Sequence, residues 1–572
     1  MRSWNCLKPL LALAFFLLIW QSIGAGRLLL SAGDSGSRFF RAAHYAMKPS
    51  QILQAREWAQ SHPPVPAILQ AFLIRQCLDE KAKDLSAPIQ AVQLAAAFLT
   101  LAGFLLLSSA MASQGGPKPA FLFFVFCFGE YSLLKLSATA MAEPYAFFFV
   151  AGAVWVTLSF VHGRIKVFWP AVLCLWLATY SRNETFIVVF PLALYLSSAG
   201  YGRRALAFLF WIAGGVLLRF ALSFATIPGE KFYEMGKVFV QDKRGVYFFR
   251  FFYDLFFLNR AYFFFLILVL CLAGAGWLWT RPGAVVCSEK SFREKTSALS
   301  GRFWRFFREA PECFWFTGFL FTAGILFEEI LRGNSNYQDR FLFLSNIFLK
   351  GALALLCMRL LEGLPKPKTF LRALGVVGIL LIAGYSLWTG VRIASGTYES
   401  GGRWGAFQTH HRHWQPEKEV IAFLKENLAP REQVAYDELA SYDIMLSAYT
   451  VRPAYLAFSI YFFDRAETFV SATVKRSGDP VMRFTARKHA YLHAERPRYL
   501  VLFNEATFRK QRGRFIARTG ITSDFFRKYL TRVSGTGPRY RFRSPYVFPG
   551  RTIDYGKVFE NSRYIILEKR AP

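Results

Sequence analysis

The sequence is poor in acidic residues: 37 Asp and Glu stand against 69 Lys and Arg, and the net charge is +32. It is also poor in cysteine, since eight occur in 572 residues and none follows Cys357. The last third of the chain therefore holds no disulfide, and the other cysteines lack metal-ligand spacing. No nucleotide-type glycine loop, GxSxG motif or HExxH motif is present. Nucleotide hydrolysis, serine-hydrolase chemistry and zinc-peptidase chemistry thus have no support in the sequence.

Apolar residues, by contrast, are abundant: 54% of the chain is hydrophobic and 18% aromatic, with 62 Phe. They occur in blocks long enough to cross a hydrocarbon core of about 30 Å. The sequence therefore predicts a polytopic α-helical membrane protein. In such a protein the excess positive charge favours lipid headgroups and phosphate-bearing lipids as partners, and it argues against nucleic acid.

Eleven apolar blocks are predicted to be membrane-spanning helices. They are 9–20, 88–110, 119–136, 143–161, 167–181, 184–199, 205–225, 261–280, 313–331, 341–361 and 373–391. The basic connections GGPK, HGRIK, GYGRR and LPKPKTFLR predict a cytoplasmic side shared with the N-terminus. Residues 25–87 then form the first outer loop of a multi-pass cell-membrane protein, and an odd number of spans leaves the C-terminus extracytoplasmic. The small residues of SIGAG leave cleavage of the first segment open as an alternative.

The composition changes near residue 395, after which a separate small α/β domain, 395–572, follows the membrane domain, 1–394. The segment PEKEVIAFLKENLAP has helical periodicity, and EQVAYD, RYLVLFN and RYIILEK read as strands, the last two paired. This region holds 30 Lys and Arg against 17 Asp and Glu. Such a domain beside an outer leaflet attracts anionic lipid or sugar-phosphate, and a solvated basic face is the alternative.

Several polar residues interrupt the apolar blocks near the predicted outer helix ends. They are Asp34, His62, Glu143, Arg182, Glu184, Arg332, Asp339 and Arg340. Charged groups at membrane depth are costly, so their gathering at one face predicts a shared polar cavity. For each residue alone, an ordinary interfacial charge is the alternative.

The motifs around these residues suggest different roles. Asp34, in GDSGSRFF, suits a general base or a metal ligand, although Asp and Ser also cap helices. His62 is followed by prolines in HPPVP, which fix the chain around it or form only a structural turn. Arginine grips phosphate with two hydrogen bonds, so Arg182, Arg332 and Arg340 are candidate phosphate ligands.

These motifs, in this order, resemble the GT-C glycosyltransferase superfamily, in particular its protein O-mannosyltransferase and lipid A aminoarabinose transferase group. The matching pieces are Asp34 after the first helix, HPP in the first outer loop and AEP at the start of a later helix. In addition, SRNE resembles the family's T-R-x-E junction, QDRFLFLSNIFL resembles its late helix, and a small domain ends the chain outside.

The resemblance implies an inverting hexosyl or pentosyl transferase. It would move a sugar from a polyprenyl-phosphate-linked donor to a lipid, glycan or protein hydroxyl at the outer face of the membrane. Asp34 would take the proton of that hydroxyl, and Arg340, with Arg182 or Arg332, would hold the departing phosphate. The acceptor side, or a divalent cation, would fall to His62, Glu143 and Glu184. Ser35 stands where relatives often carry a second acidic residue, which leaves metal use open.

Two other functions remain alternatives. A membrane transporter or flippase predicts inverted repeats or polar residues in the middle of spans. The charged residues of this sequence gather instead at one predicted face. A non-catalytic envelope assembly protein derived from the transferase fold is the other alternative, and Ser35 is compatible with it.

Overall fold

The structure is a computed structural model that describes part of the chain; the predicted spans 9–20 and, for the most part, 261–280 lie outside the described residues. The described residues are 38–39, 41–43, 45–46, 49–53, 64–77, 86–130, 137, 142–226, 249, 251–253, 255, 259–264, 266–267, 310–331, 342–363, 369–394, 415–428, 434–436, 486, 489–490, 492–493, 497–507, 509, 529–533, 539–546 and 552–570.

The described helices follow the apolar blocks of the sequence, except the first, which lies in the predicted outer loop 25–87. They are α1 (Val65–Cys77), α2 (Ser86–Gly115), α3 (Pro117–Cys127), α4 (Glu143–Val161), α5 (Trp169–Thr179), α6 (Val189–Ser198), α7 (Gly202–Thr226), α8 (Pro311–Leu331), α9 (Phe343–Gly363) and α10 (Thr369–Ala394). Shorter helical stretches lie within 38–46 and 249–267. Proline occupies the first turn of α3, α4 and α5, where its missing N–H costs nothing.

Three described stretches are long and apolar enough to cross a membrane: Ala87–Gly115, Glu143–Val161 and Gly375–Arg392. The surface of these helices supports this assignment, since Phe98 is 64% exposed and Leu381 69% exposed. Exposed apolar surface of this kind is unfavourable in water and is covered by lipid in a membrane. The protein is therefore a helical multi-span membrane protein, and the count of eleven spans remains a prediction.

The bundle has two distinct ends. At one end, tight turns at Gly116, Gly163 and Gly200 join successive helices, with φ of +85°, +69° and +88°. These left-handed conformations suit glycine. Basic residues gather there, and the Arg204 guanidinium lies 4.4 Å from the centre of the Phe160 ring. We call this the basic-loop end, and it contains three of the four connections predicted to be cytoplasmic.

Helices α8 and α9 approach closely because a glycine of each helix faces an aromatic ring of the other. A Cβ added at Gly351 would lie 2.2 Å from Trp315 Cε3, and one added at Gly318 would lie 2.4 Å from Phe348 Cδ1. At the basic-loop end, Arg359 of α9 pairs with Glu312 of α8. These contacts fix the two helices as an antiparallel pair.

A polar network lies buried inside the bundle, and the sequence did not predict it. Lys350 of α9 forms an ion pair with Glu130, which follows α3. Asn346 donates to Glu130 Oε1 at 3.1 Å and accepts from Asn259 Nδ2 at 2.7 Å. Lys350 also lies 5.0 Å from the centre of the Tyr262 ring. All five residues are at most 2% exposed. The buried charged and amide side chains among them are therefore satisfied by one another.

The described strands of the C-terminal part form a six-stranded mixed sheet in the order β1-β2-β6-β5-β4-β3. The strands are β1 (Val434–Tyr436), β2 (Tyr499–Phe503), β3 (Leu530–Val533), β4 (Arg539–Arg543), β5 (Thr552–Glu560) and β6 (Tyr564–Lys569). β1 and β2 are parallel, and the remaining neighbours are antiparallel. The predicted pairing of RYLVLFN with RYIILEK is confirmed, with Val501 opposite Ile566.

One face of this sheet packs toward the membrane helices. Tyr499, Val501 and Ile566 share an apolar cluster with helix α11 (Gln415–Asn427), which covers β2 and β6. The same cluster contains residues of the 38–46 stretch, of α1 and of the first turns of α2: Phe39, Ala42, Ala43, Tyr45, Ala46, Ala67, Ala71, Ile74, Ile89 and Val92. The sheet therefore docks on the bundle end opposite the basic loops, by what we call its bundle-facing face. The boundary at 394/395 remains a prediction.

Candidate functional site

Arg182 lies where α5 ends and a short 3₁₀ segment, Asn183–Val188, begins. Its backbone N–H donates to the Ala178 carbonyl at 2.8 Å, and its φ of −148° and ψ of 129° turn the chain out of the helix. Thr185 Oγ1 donates to the Arg182 carbonyl at 2.7 Å. The backbone is thus fixed on both sides, and the residue is 8% exposed.

The Arg182 guanidinium is held between two carboxylates. It donates to Glu143 and to Glu184. Glu143 is fully buried and is the first residue of α4, where the helix dipole stabilises a negative charge. The Glu184 side chain keeps 17% exposure. The two pairs set the direction of the guanidinium plane.

Tyr180 connects two further helices to this position. Its hydroxyl donates to the Gly215 carbonyl of α7 at 3.2 Å, and its carbonyl accepts from the Val65 N–H of α1 at 3.2 Å. α5 and α7 approach closely at Gly215, where a Cβ would lie 2.7 Å from Trp176 Nε1. α1, α5 and α7 therefore converge beside Arg182.

Two further arginines share the electrostatic environment of the site. Arg219 of α7 interacts electrostatically with Glu184 and with Arg41. Arg41, from the 38–46 stretch, is 6% exposed, and its Nε donates to the Tyr45 hydroxyl at 2.7 Å. Neither residue was predicted from the sequence. A single arginine within the apolar run GVLLRFAL was the signal that could have identified Arg219.

Three guanidinium groups and two carboxylates thus gather at what we call the Arg182 end of the bundle: Arg41, Arg182, Arg219, Glu143 and Glu184. The cluster carries one net positive charge. By the helical rise, Glu143 lies about 27 Å from the other end of α4, close to the boundary of a hydrocarbon core of about 30 Å. Arginine side chains at such a boundary are suited to bind the phosphate of a lipid, because the planar guanidinium can donate two parallel hydrogen bonds.

Of the residues predicted from the sequence, the structure brings Glu143, Arg182 and Glu184 together. The other four site residues lie outside the described part of the chain: Asp34, His62, Arg332 and Arg340. Among the described residues, no three His, Cys, Asp or Glu side chains gather where they could hold a metal ion.

The helix that ends just before Arg332 leads to the same end of the bundle. Phe314 near the start of α8 packs against Tyr195 near the end of α6, with ring centres 5.4 Å apart. Further along, Phe321 stacks on Phe190 at 5.5 Å. The two helices are therefore antiparallel, so α8 runs from the basic-loop end toward the 3₁₀ segment that follows Arg182.

Comparison with known proteins gives a match in structure. No family model matches the sequence, and no curated protein matches it either. The crystal structure of ArnT from Cupriavidus metallidurans, bound to undecaprenyl phosphate, aligns with 99% of this chain and 98% of its own, at 12% identity and a TM-score of 0.50. The chain has the fold of ArnT. The GT-C-like membrane fold predicted from the sequence motifs is thereby confirmed.

A second solved structure is more distant. The oligosaccharyltransferase of Archaeoglobus fulgidus, in its apo form, aligns with 96% of this chain and 76% of its own, at 12% identity and a TM-score of 0.43.

Proposed function

We propose that the protein is an inverting glycosyltransferase that uses a polyprenyl-phosphate-linked sugar. The acceptor is a lipid, glycan or protein hydroxyl at the outer face of the membrane. The observation that carries the proposal is the arginine cluster at the Arg182 end of a GT-C-like bundle. The phosphate of a membrane lipid lies at the hydrocarbon boundary, and a cluster of arginines at that depth is suited to bind it.

In this proposal the arginines hold the phosphate of the donor. Glu143 and Glu184 orient Arg182, and Arg41 and Arg219 supply the positive charge that these carboxylates do not neutralise. Negative charge builds on the phosphate as the sugar leaves, so fixed guanidinium groups stabilise the transition state more than the bound donor. Arg332 and Arg340 extend this site. Leu331 is the last residue of α8, and Arg332 follows it directly in the chain.

Asp34 acts as the general base. Its carboxylate takes the proton from the acceptor hydroxyl as the oxygen bonds to the anomeric carbon. The bond between that carbon and the phosphate oxygen breaks, and polyprenyl phosphate leaves with the electron pair. Asp34 stands seven positions before Arg41 in the chain, which supports its placement beside the cluster. His62 lies on the acceptor side, and a divalent cation remains compatible with the proposal.

Binding of undecaprenyl phosphate tests the donor site. The purified full-length chain in detergent is titrated with this lipid, and stabilisation against heat reports binding. Arg182→Lys keeps the charge but loses the planar fork, so we expect affinity to fall about tenfold. The matched control is Arg204→Lys at the basic-loop end, where the arginine is exposed. Equal affinity of the Arg182 variant and the control would refute this assignment of the donor site.

One observation favours a second candidate, a transporter or flippase. The Glu130–Lys350 pair lies deep within the bundle, where carriers place coupling residues. Vesicles that contain the purified protein and a fluorescent polyprenyl phosphate distinguish the two functions. A carrier moves the probe between leaflets, whereas our proposal predicts no accelerated movement of the probe.

A further inference from the structure

Strand β4 carries a row of exposed arginines. Arg539, Arg541 and Arg543 are exposed, whereas Phe542 between them is buried. Alternate residues of a strand point to the same face and lie about 7 Å apart. The three guanidinium groups therefore form one strip along one face of the sheet, which we call the arginine strip.

The cross-strand register assigns this strip to the bundle-facing face. Arg539 lies opposite Gly556, Gly556 lies opposite Glu568, and Glu568 lies opposite Tyr499. Residues directly opposite in antiparallel strands share a face. Tyr499 belongs to the apolar cluster that joins the sheet to the helices at the Arg182 end. The strip therefore points to the membrane side, on strands beyond the part of the sheet that α11 covers.

The strip keeps most of its positive charge. Arg541 donates to Asp554 Oδ1 at 2.7 Å and to Oδ2 at 2.9 Å, which neutralises one of the three cations. Within the described part of the chain, neither Arg539 nor Arg543 forms an ion pair with a carboxylate. Two net positive charges thus face the membrane side on a rigid strand.

We propose that the arginine strip binds anionic phospholipid headgroups of the leaflet beside the Arg182 end. Charge complementarity and direction support this partner, since each arginine near an anionic leaflet strengthens attraction about fivefold. The strip would hold the sheet at a fixed height over the site end of the bundle. This inference does not depend on the transferase activity, because it concerns the surrounding lipid and not the donor.

Photocrosslinking of the full-length protein measures the contact directly. A benzoylphenylalanine in place of Thr531 lies on the strip's face, because Thr531 is opposite Arg541. The same residue in place of Arg532 lies on the other face of the same strand, opposite Tyr540. Both positions are exposed. The proteins are placed in membranes of phosphatidylcholine with or without phosphatidylglycerol, free of polyprenyl lipid.

Charge reversal supplies the matched variants. With the probe at 531, we expect phosphatidylglycerol crosslinks that fall at least fivefold in the Arg539→Glu/Arg543→Glu protein and at high salt. Arg532→Glu reverses one charge on the opposite face and should leave the yield unchanged. An unchanged thermal unfolding midpoint confirms that each variant is folded, and Arg539→Gln/Arg543→Gln provides a milder second pair.

Three results would overturn the proposal. The first is equal lipid crosslinking from positions 531 and 532. The second is crosslinking at 531 that does not depend on phosphatidylglycerol or on the two arginines. The third is crosslinking from 531 to the protein itself in place of lipid, since the strip would then face its own chain.

Discussion

Loss of the Lys350 ammonium should destabilise the protein strongly. Lys350 and Glu130 are each at most 2% exposed, and the pair is separated by 220 residues in the sequence. In Lys350→Met the Glu130 carboxylate remains buried without its cation, a change that typically costs about 3–5 kcal/mol. Arg359→Met is the control on the same helix, because the Arg359 side chain is 54% exposed. The Glu312 side chain is 12% exposed, so breaking this partly exposed pair should cost more than a fully exposed pair but clearly less than the loss of Lys350.

A double-mutant cycle separates the ion pair from the packing around it. Glu130→Gln/Lys350→Met removes both charges and keeps an amide beside Asn346. The double variant should therefore lose less stability than the two single variants together. We expect the difference to be about 2 kcal/mol or more. Unfolding of the purified chain in detergent, followed by tryptophan fluorescence, supplies the four values. Additive losses, or a Lys350→Met protein as stable as wild type, would refute the buried-pair reasoning.

Further changes test local features by the same unfolding measurement. Gly351→Ala should cost about 1–3 kcal/mol because its Cβ would enter an indole ring, whereas Gly324→Ala meets nothing within 4 Å and should be neutral or slightly stabilising. Asn561→Ala should cost about 1–3 kcal/mol, since the side chain bonds both α11 and the turn before β6. Hydrogen bonds from Arg541 hold the pKa of Asp554 below its ordinary value of 3.8, so their stabilisation is present above that pH and is lost as pH falls through the lowered pKa. The loss should be below about 1 kcal/mol and absent in Arg541→Gln.

The sequence predicted the strands that contain a short continuous apolar run. RYLVLFN and RYIILEK contain the apolar runs YLVLF and YIIL, which are typical of buried strands, and the structure pairs them. Strand β4 escaped prediction because RYRFR has three charged positions on one face and resembles an ordinary basic surface. Among the described strands, β3 pairs with β4, and β4 joins it to β5. These strands are identified by their pairing with distant parts of the chain, which the local sequence pattern does not reveal.

The candidate site was predictable only in part, for a similar reason. Glu143 and Arg182 stand beside proline and helix-junction signals, so their positions at helix ends were visible. Arg41 and Arg219 join them only through the packing of α7 and the 38–46 stretch. The Glu130–Lys350 pair depends on the contact of α3 with α9, which no local pattern reveals.

Transfer of a sugar is the central claim, and mass spectrometry of the cell envelope tests it most directly. Lipids, glycans and proteins are compared between a deletion strain and strains that express the wild-type chain or Asp34→Asn at equal levels. The account predicts that one envelope component loses the mass of a hexose or pentose in the deletion strain. Wild type should restore that mass and Asp34→Asn should not. An unchanged envelope after deletion, or full restoration by Asp34→Asn, would contradict the account.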